Sequence, residues 1–297
     1  MHLILLFLLL FLPTAVSAAK YQHDLYNTQP KDISRDFAAY TVSFDSRDDN
    51  NNDHRDDIWG VAEYVAYEIR NYPGTCIPTG PRPGKWLTSK ELYAAGIAPA
   101  DASYAYSQAW RSAHANWYER GHLCMKLIAE RVSRDAAYNT HDLMNAVPQR
   151  AQFNQGIWLD LEEMTAAWAQ RYGEVWVITG PVFIDKSASA WLGESEKGEM
   201  LVAIPDALYK IVVKLRPGSS SPDVLAFLYP QQGAGYSLRP FVHEPYLTSV
   251  DALEELTGLD FLTALPDDME KALESRKAAA LWPVGEGDYL QACRKSN

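Results

Sequence analysis

The chain has 297 residues, a hydrophobic fraction of 47% and a formal net charge of −11. That length and apolar content, with 9 Trp, 17 Tyr and 9 Phe, describe a well-packed globular protein and exclude general disorder. The negative charge excludes a protein that holds nucleic acid by its global field, but leaves room for an enzyme with a local basic cleft.

In chain order, MHLILLFLLLFLPTAVSA carries an apolar run from Leu3 to Leu12, then Pro13 and small residues at Ala15, Ser17, Ala18 and Ala19. This reads as a signal peptide over residues 1–18. The run is too short for the roughly 20 residues of a spanning helix, so no membrane anchor is expected. Residues 19–58 read as a polar, irregular N-terminal extension. Within it Asp49, Asn51 and Asp53 are spaced like a calcium loop, but His54 stands where glycine is needed and no glutamate closes it; a solvated acidic loop is the better reading.

From Trp59 the pattern changes. WGVAEYVAYEI (Trp59 to Ile69) reads as a strand, and the Pro- and Gly-punctuated segment after it as loop. EVWVITGPVF (Glu174 to Phe183), MLVAIP, LYKIVVKL and VLAFLYP read as core strands, with PGSSSPD as a turn. Between them, Gln155 to Arg171 places Ile157, Leu161, Met164 and Trp168 on one helical face. TSVDALEELTG reads as a helix with Ser249 as N-cap and Gly258 as stop. The expected architecture is a single α+β domain over residues 59–275, a central antiparallel sheet flanked by helices, followed by a tail over residues 276–297.

Three segments carry chemistry: ERGH (Glu119 to His122), NAVPQ (Asn145 to Gln149) and FNQGIWLDLE (Phe153 to Glu162). Phosphodiester hydrolysis needs a base for water, a cation for the growing charge and a grip on phosphate. A neutral imidazole supplies the first near pH 7, a hard cation on oxygen ligands the second, an arginine fork the third. His122, Asn154 with Glu162, and Arg120 can fill these roles. On a straight helix Asn154 and Glu162 stand about 12 Å apart along the axis and about 80° around it. Asn154 is therefore expected to bind the ion directly and Glu162 to reach it through water. Gly121 is expected to give phosphate room between Arg120 and His122. Taken singly, His122 is a structural histidine, Asn154 a cap and Glu162 a surface charge; the combination carries the reading. GxSxG, HExxH and P-loop patterns are absent from the sequence, which disfavours a hydrolase of proteins or lipids.

In order and spacing these segments resemble the DNA/RNA non-specific endonucleases, the family of Serratia-type nuclease and endonuclease G. IPDALYKIVV (Ile204 to Val213), VITGPVF and TSVDALEELTGLDFLTALP (Thr248 to Pro266) extend the resemblance over about residues 59–270. It implies a ββα-metal active unit, Mg²⁺ with Mn²⁺ as the alternative ion, and DNA and RNA as substrates. It also implies His122 as general base, Arg120 on phosphate, Asn154 as the direct metal ligand and Glu162 as a catalytic residue holding the waters of the metal. Asn145 supports the histidine or the site, Gln149 shapes it, and Trp158 packs under the metal helix. The family's opening Asp is Glu119 here, expected to orient its neighbours. An arginine common one turn after the glutamate is Ala166, with Arg150 and Arg171 nearby in sequence. These departures keep a second reading open, a nucleic-acid-binding protein with a weakened nuclease site. A homodimer and an inhibitor protein are partners the resemblance leaves open.

Export favours a disulfide among Cys76, Cys124 and Cys293. Cys76–Cys293 is the expected pairing, since Cys124 falls inside the suspected site; three buried thiols are the alternative. The expected location is secreted or periplasmic.

Overall fold

A computed structural model describes residues 20–27, 33–44, 59–104, 118–184, 188–216, 218 and 221–293. The leader and the calcium-like spacing at 49–53 lie outside the described residues. Among these, no helix is long and apolar enough to cross a membrane.

Seven strands form one antiparallel sheet in the order β1-β2-β3-β6-β9-β10-β11. They are β1 (Ile33–Asp36), β2 (Thr41–Phe44), β3 (Tyr64–Arg70), β6 (Glu174–Val182), β9 (Ala207–Leu215), β10 (Pro222–Pro230) and β11 (Leu247–Thr248). The three long central strands are the β-branched runs of the sequence. They are buried on both faces, which is why they read as continuous apolar stretches. Outside this sheet, β4 (Tyr118–His122) pairs with β5 (Ala146–Arg150), and β7 (Trp191–Leu192) with β8 (Val202–Ala203).

Three expectations need correction. The extension assigned to residues 19–58 contributes β1 and β2, so the domain begins before residue 59. TVSF is fully buried as β2, yet it is four residues long with hydroxyls at alternate positions, too short and too polar to signal a strand. The strand expected from Trp59 begins at Tyr64, because residues 59–63 turn to bring Trp59 against Phe183, ring centroids 4.0 Å apart. MLVAIP keeps only the two-residue β8 as strand.

The sheet separates two cores. On one face Val65, Tyr67, Val177, Leu208 and Val212 pack with Phe153, Trp158, Leu161 and Trp168. On the other, Tyr64, Ala66, Ile178, Tyr209 and Ile211 pack with Leu253, Phe261 and Leu273. The described helices are α1 (Lys90–Ala94), α2 (Lys126–Glu130), α3 (Arg134–Asn139), α4 (Leu159–Tyr172), α5 (Val250–Thr257) and α6 (Asp267–Glu274). Ser249 caps α5 by accepting from Ala252 N–H at 3.2 Å; Gly258 ends it in the left-handed region, φ 67°.

The segment after α6 folds back on α4. Trp168 Nε1 donates to Trp282 O at 2.9 Å, Arg171 pairs with Asp288 at 3.2 Å, and Cys76 is joined to Cys293. Cys124 is a buried free thiol.

Candidate active site

The site is built from β4, β5 and the helix that follows. In the β4–β5 register Glu119 faces Gln149, Gly121 faces Val147 and His122 faces Ala146. Gly121 is required here for a reason different from the one expected. A Cβ on it would lie 1.7 Å from Gln149 Oε1, so the glycine admits the buried Gln149 side chain, not phosphate.

After β5 the chain does not enter one straight helix. A short turn, Ala151–Phe153, leads into a π-turn at Asn154–Trp158 before α4 begins. Gly156 leaves helical geometry at φ −107°, ψ −116°, and a Cβ there would lie 1.8 Å from Tyr236 O. Ile157 N–H donates to that same oxygen at 3.1 Å. The straight-helix spacing expected between Asn154 and Glu162 therefore does not hold. The π-turn re-aims Asn154 relative to α4, and such turns cluster at functional positions. Two polar contacts fix the start of α4: His243 Nε2 donates to Asp160 Oδ2 at 2.9 Å, and Tyr229 Oη donates to His243 Nδ1 at 2.7 Å.

A cleft of about 750 Å³ results, lined by Glu119, Arg120, His122, Asn154 and Glu162. Arg82, Trp86 and Lys126 join them from other segments. Asn154 Nδ2 donates to Glu119 Oε2 at 2.7 Å, and Gln155 Nε2 donates to Glu119 Oε1 at 2.5 Å. Glu119 thus holds two neighbours by their amide nitrogens. That leaves the Asn154 amide oxygen as the end available to a cation. Arg120 stands beside Asp101, at 2.9 Å from its carboxylate, with its guanidinium 5.2 Å from the Tyr104 ring centre.

His122 packs in a triangle of rings with Trp86 and His141, whose centroids lie 4.8 and 4.9 Å away and 5.4 Å from each other. Its Nε2 is buried without a hydrogen-bond partner. Burial, then His141, Arg82 and Lys126, push its pKa down to about 3, so the ring is neutral at pH 7. Glu162 is 4% exposed, and its Oε1 also lacks a partner. Burial pushes its carboxyl up to about 8 against the pull of Lys210. Lys210 is itself fully buried, donating to Tyr67 Oη at 3.2 Å and lying 4.5 Å from the Trp158 ring centre.

The fit to a hard cation can be read from these atoms. Asn154 and Glu162 offer it oxygen, and a buried, partnerless Glu162 oxygen at the cleft wall is what a nearby positive charge would satisfy. The residues present fit such an ion.

Asn145, expected among the catalytic residues or as direct support for the histidine, is fully buried and outside the cleft lining. Its Oδ1 accepts from Cys124 N–H at 2.8 Å, and its Nδ2 donates to Cys124 O and Thr140 O, each at 2.9 Å. It clamps the chain just after His122. Gln149 is likewise buried, and Trp158 is fully buried beneath the π-turn. Ala166 is covered: its carbonyl accepts from Arg131 Nη2 at 3.1 Å, and Tyr289 to Gln291 lie over it around a small cavity of about 10 Å³. Neither Arg150 nor Arg171 reaches the cleft lining. Sequence reasoning missed Arg82, Trp86 and His141. The parallel bridge between Leu87 and Asp142 brings their segments together, and only pairing across the fold reveals it.

Residues 26–268 match the family model described as DNA/RNA non-specific endonuclease. Similar curated proteins include "Nuclease EXOG, mitochondrial" of Homo sapiens, 31% identical over 157 residues, 50% of this chain and 40% of that protein. "Nuclease" of Nostoc sp. is 26% identical over 227 residues, 73% of this chain and 72% of that protein. "Endonuclease G, mitochondrial" of Bos taurus is 25% identical over 166 residues, 54% of each. The match to EXOG thus spans 40% of that relative's length. Among solved structures, EndoG in the EndoG/EndoGI complex superposes with a TM-score of 0.64 at 19% identity, over 84% of this chain and 93% of that one. At that identity the likeness bears on the fold.

Proposed function

The chain belongs to the DNA/RNA non-specific endonuclease family, and on that premise we propose that it is an exported, cation-dependent hydrolase of phosphodiester bonds in DNA and RNA. The observation that carries this reading is the convergence of His122, Arg120, Asn154 and Glu162 on one cleft.

His122 is the general base. Its neutral ring can take a proton from the attacking water, and an anionic phosphate entering the cleft raises its basicity by favouring the imidazolium. Arg120 pairs with phosphate through guanidinium N–H groups. Asn154 would hold the cation by its amide oxygen, in the orientation that Glu119 imposes, and the Glu162 carboxyl on α4 would hold its waters. When bound there, Mg²⁺ supplies charge neutralisation on the phosphate and the leaving oxygen. Export is supported by the leader at residues 1–18 and by the Cys76–Cys293 disulfide, which suits an oxidising compartment. An inhibitor protein is a further proposal, supported by the complex in which the EndoG structure was solved.

The test is digestion of supercoiled plasmid and single-stranded RNA in Mg²⁺ and in EDTA, with His122→Ala alongside. Both polymers cut only with metal, and an inactive mutant, is the expected result. A folded wild type that binds both polymers without cutting them, in any divalent metal, would hand the function to the binding-protein reading.

A further inference from the structure

On the face of the sheet opposite the cleft, α5 and α6 bring five carboxylates together. Asp251 and Glu254 lie on α5, Glu270 and Glu274 on α6, and Asp260 in the connection between them. Carboxylate oxygens of Asp251, Glu254 and Glu274 lie within 4.8 Å of one another, and so do those of Asp260, Glu270 and Glu274. Glu274 belongs to both groups. It is 8% exposed, its Oε1 has no hydrogen-bond partner, and its carboxyl lies against that of Glu254. A buried acceptor in that state is unfavourable, more so if charged. The groups acting on Glu274 are all acids: Glu254, Glu270, Asp251 and Asp260. Behind burial, they push its carboxyl up to about 8. Glu254 is raised as well, though Phe261 N–H donates to its Oε1 at 2.8 Å.

We infer that these carboxylates, with Glu274 at their centre, form a site for one Ca²⁺ ion separate from the catalytic cleft. The donors are all oxygen, as a hard cation requires. Ca²⁺–oxygen bonds of about 2.3–2.6 Å allow ligand oxygens up to about 4.6–5.2 Å apart, and the oxygens of each group of three lie within 4.8 Å of one another. Mg²⁺, at about 2.0–2.1 Å, needs a tighter octahedron and keeps more water. Carboxylates from two helices and a loop, on flexible side chains, suit the larger ion. The bound ion would tie α5 to α6 above Leu253, Phe261 and Leu273, which seat both helices on the sheet. Its competitor is a proton shared by Glu254 and Glu274.

Calorimetric titration of the metal-stripped full chain with CaCl₂ at pH 7.5 tests this, beside Glu274→Gln, Asp260→Asn and the cleft variant Asn154→Ala. Wild type and Asn154→Ala are expected to take up one Ca²⁺ and melt at higher temperature with it. Glu274→Gln and Asp260→Asn should weaken uptake at least tenfold while Mg²⁺-dependent plasmid nicking stays unchanged. Uptake lost in Asn154→Ala but kept in Glu274→Gln would place the ion in the cleft and overturn the inference. So would absence of uptake by wild type, and Glu274→Gln melting above it in EDTA would then trace the cluster to a shared proton. If Glu274→Gln fails to fold, Asp260→Asn, on an exposed residue, decides alone.

Discussion

Gly121 and Gln149 occupy each other's space: the glycine's missing Cβ would stand 1.7 Å from Gln149 Oε1. Strand β4 thus lies close against a buried amide, a contact expected to set the alignment of Arg120 and His122. Gly121→Ala should destabilise the protein by about 1–3 kcal/mol, the usual cost of overpacking, and lower nuclease activity at temperatures where the variant is still folded. Gly121→Ala with Gln149→Ala should recover most of the lost melting temperature. A single mutant as stable as wild type would show that Gln149 gives way freely.

Glu119 fixes Asn154 by its amide nitrogen, so Glu119→Ala should free the amide to turn. The expected effect is a 10–100-fold rise in the Mg²⁺ concentration needed for half-maximal cleavage, the range for losing a residue that orients a metal ligand. Activity at saturating Mg²⁺ should fall less. Glu119→Asp, one methylene shorter, cannot reach both Asn154 and Gln155 and should fall between. Equal Mg²⁺ dependence in all three proteins would count against an orienting role.

Stability without metal should depend on pH from both sides. An unfolded histidine titrates near pH 6.5, whereas His122 in the fold is held down to about 3. Between those values the unfolded chain takes a proton that the fold refuses. The His122 contribution is therefore complete above pH 6.5 and lost as pH falls toward 3. Glu162 has the opposite sign. Raised from 4.5 to about 8, it favours the fold at low pH and loses that contribution as pH rises through 8. Melting curves in EDTA from pH 3 to 9 should show His122→Ala softening the acid-side decline and Glu162→Gln the alkaline-side one. Unchanged slopes in either variant would assign that limb to other groups.

Removing the disulfide should loosen the cover of α4. Cys76→Ser is expected to cost about 2–5 kcal/mol and to alter the fluorescence of Trp168 and Trp282, which are in contact, Trp282 on the segment that the disulfide anchors at Cys293. Thiol titration of the native wild type should find Cys124 unreactive, since burial pushes its pKa far up and hides it. Rapid modification of one thiol in the folded protein would contradict this.

The parts legible in the sequence were those whose signal is local. Long β-branched runs mark β6, β9 and β10, and a serine and a glycine bracket α5. ERGH and FNQGIWLDLE mark the strand and turn that line the cleft, and NAVPQ marks β5, the buried strand paired with β4. Features set by contacts across the chain were not legible. Gly121 answers to Gln149 and Gly156 to Tyr236, so neither local spacing nor a straight-helix projection could find the reason. His141 and Trp86 reach His122 only because the Leu87–Asp142 bridge joins their segments. β1 and β2 were hidden by their brevity and by the polar residues around them.

Residues 282–293 brace the helix that bears Glu162. Ile77 pairs with Ala292, and Cys293 N–H donates to Ile77 O at 2.9 Å. A chain still being synthesised can assemble the sheet from its earlier strands, but α4 stays uncovered on that side until residue 293 has emerged. The platform under the cleft is therefore complete only once residues 276–293 are in place, and a product cut short after α6 would carry every residue of the cleft on an unbraced support.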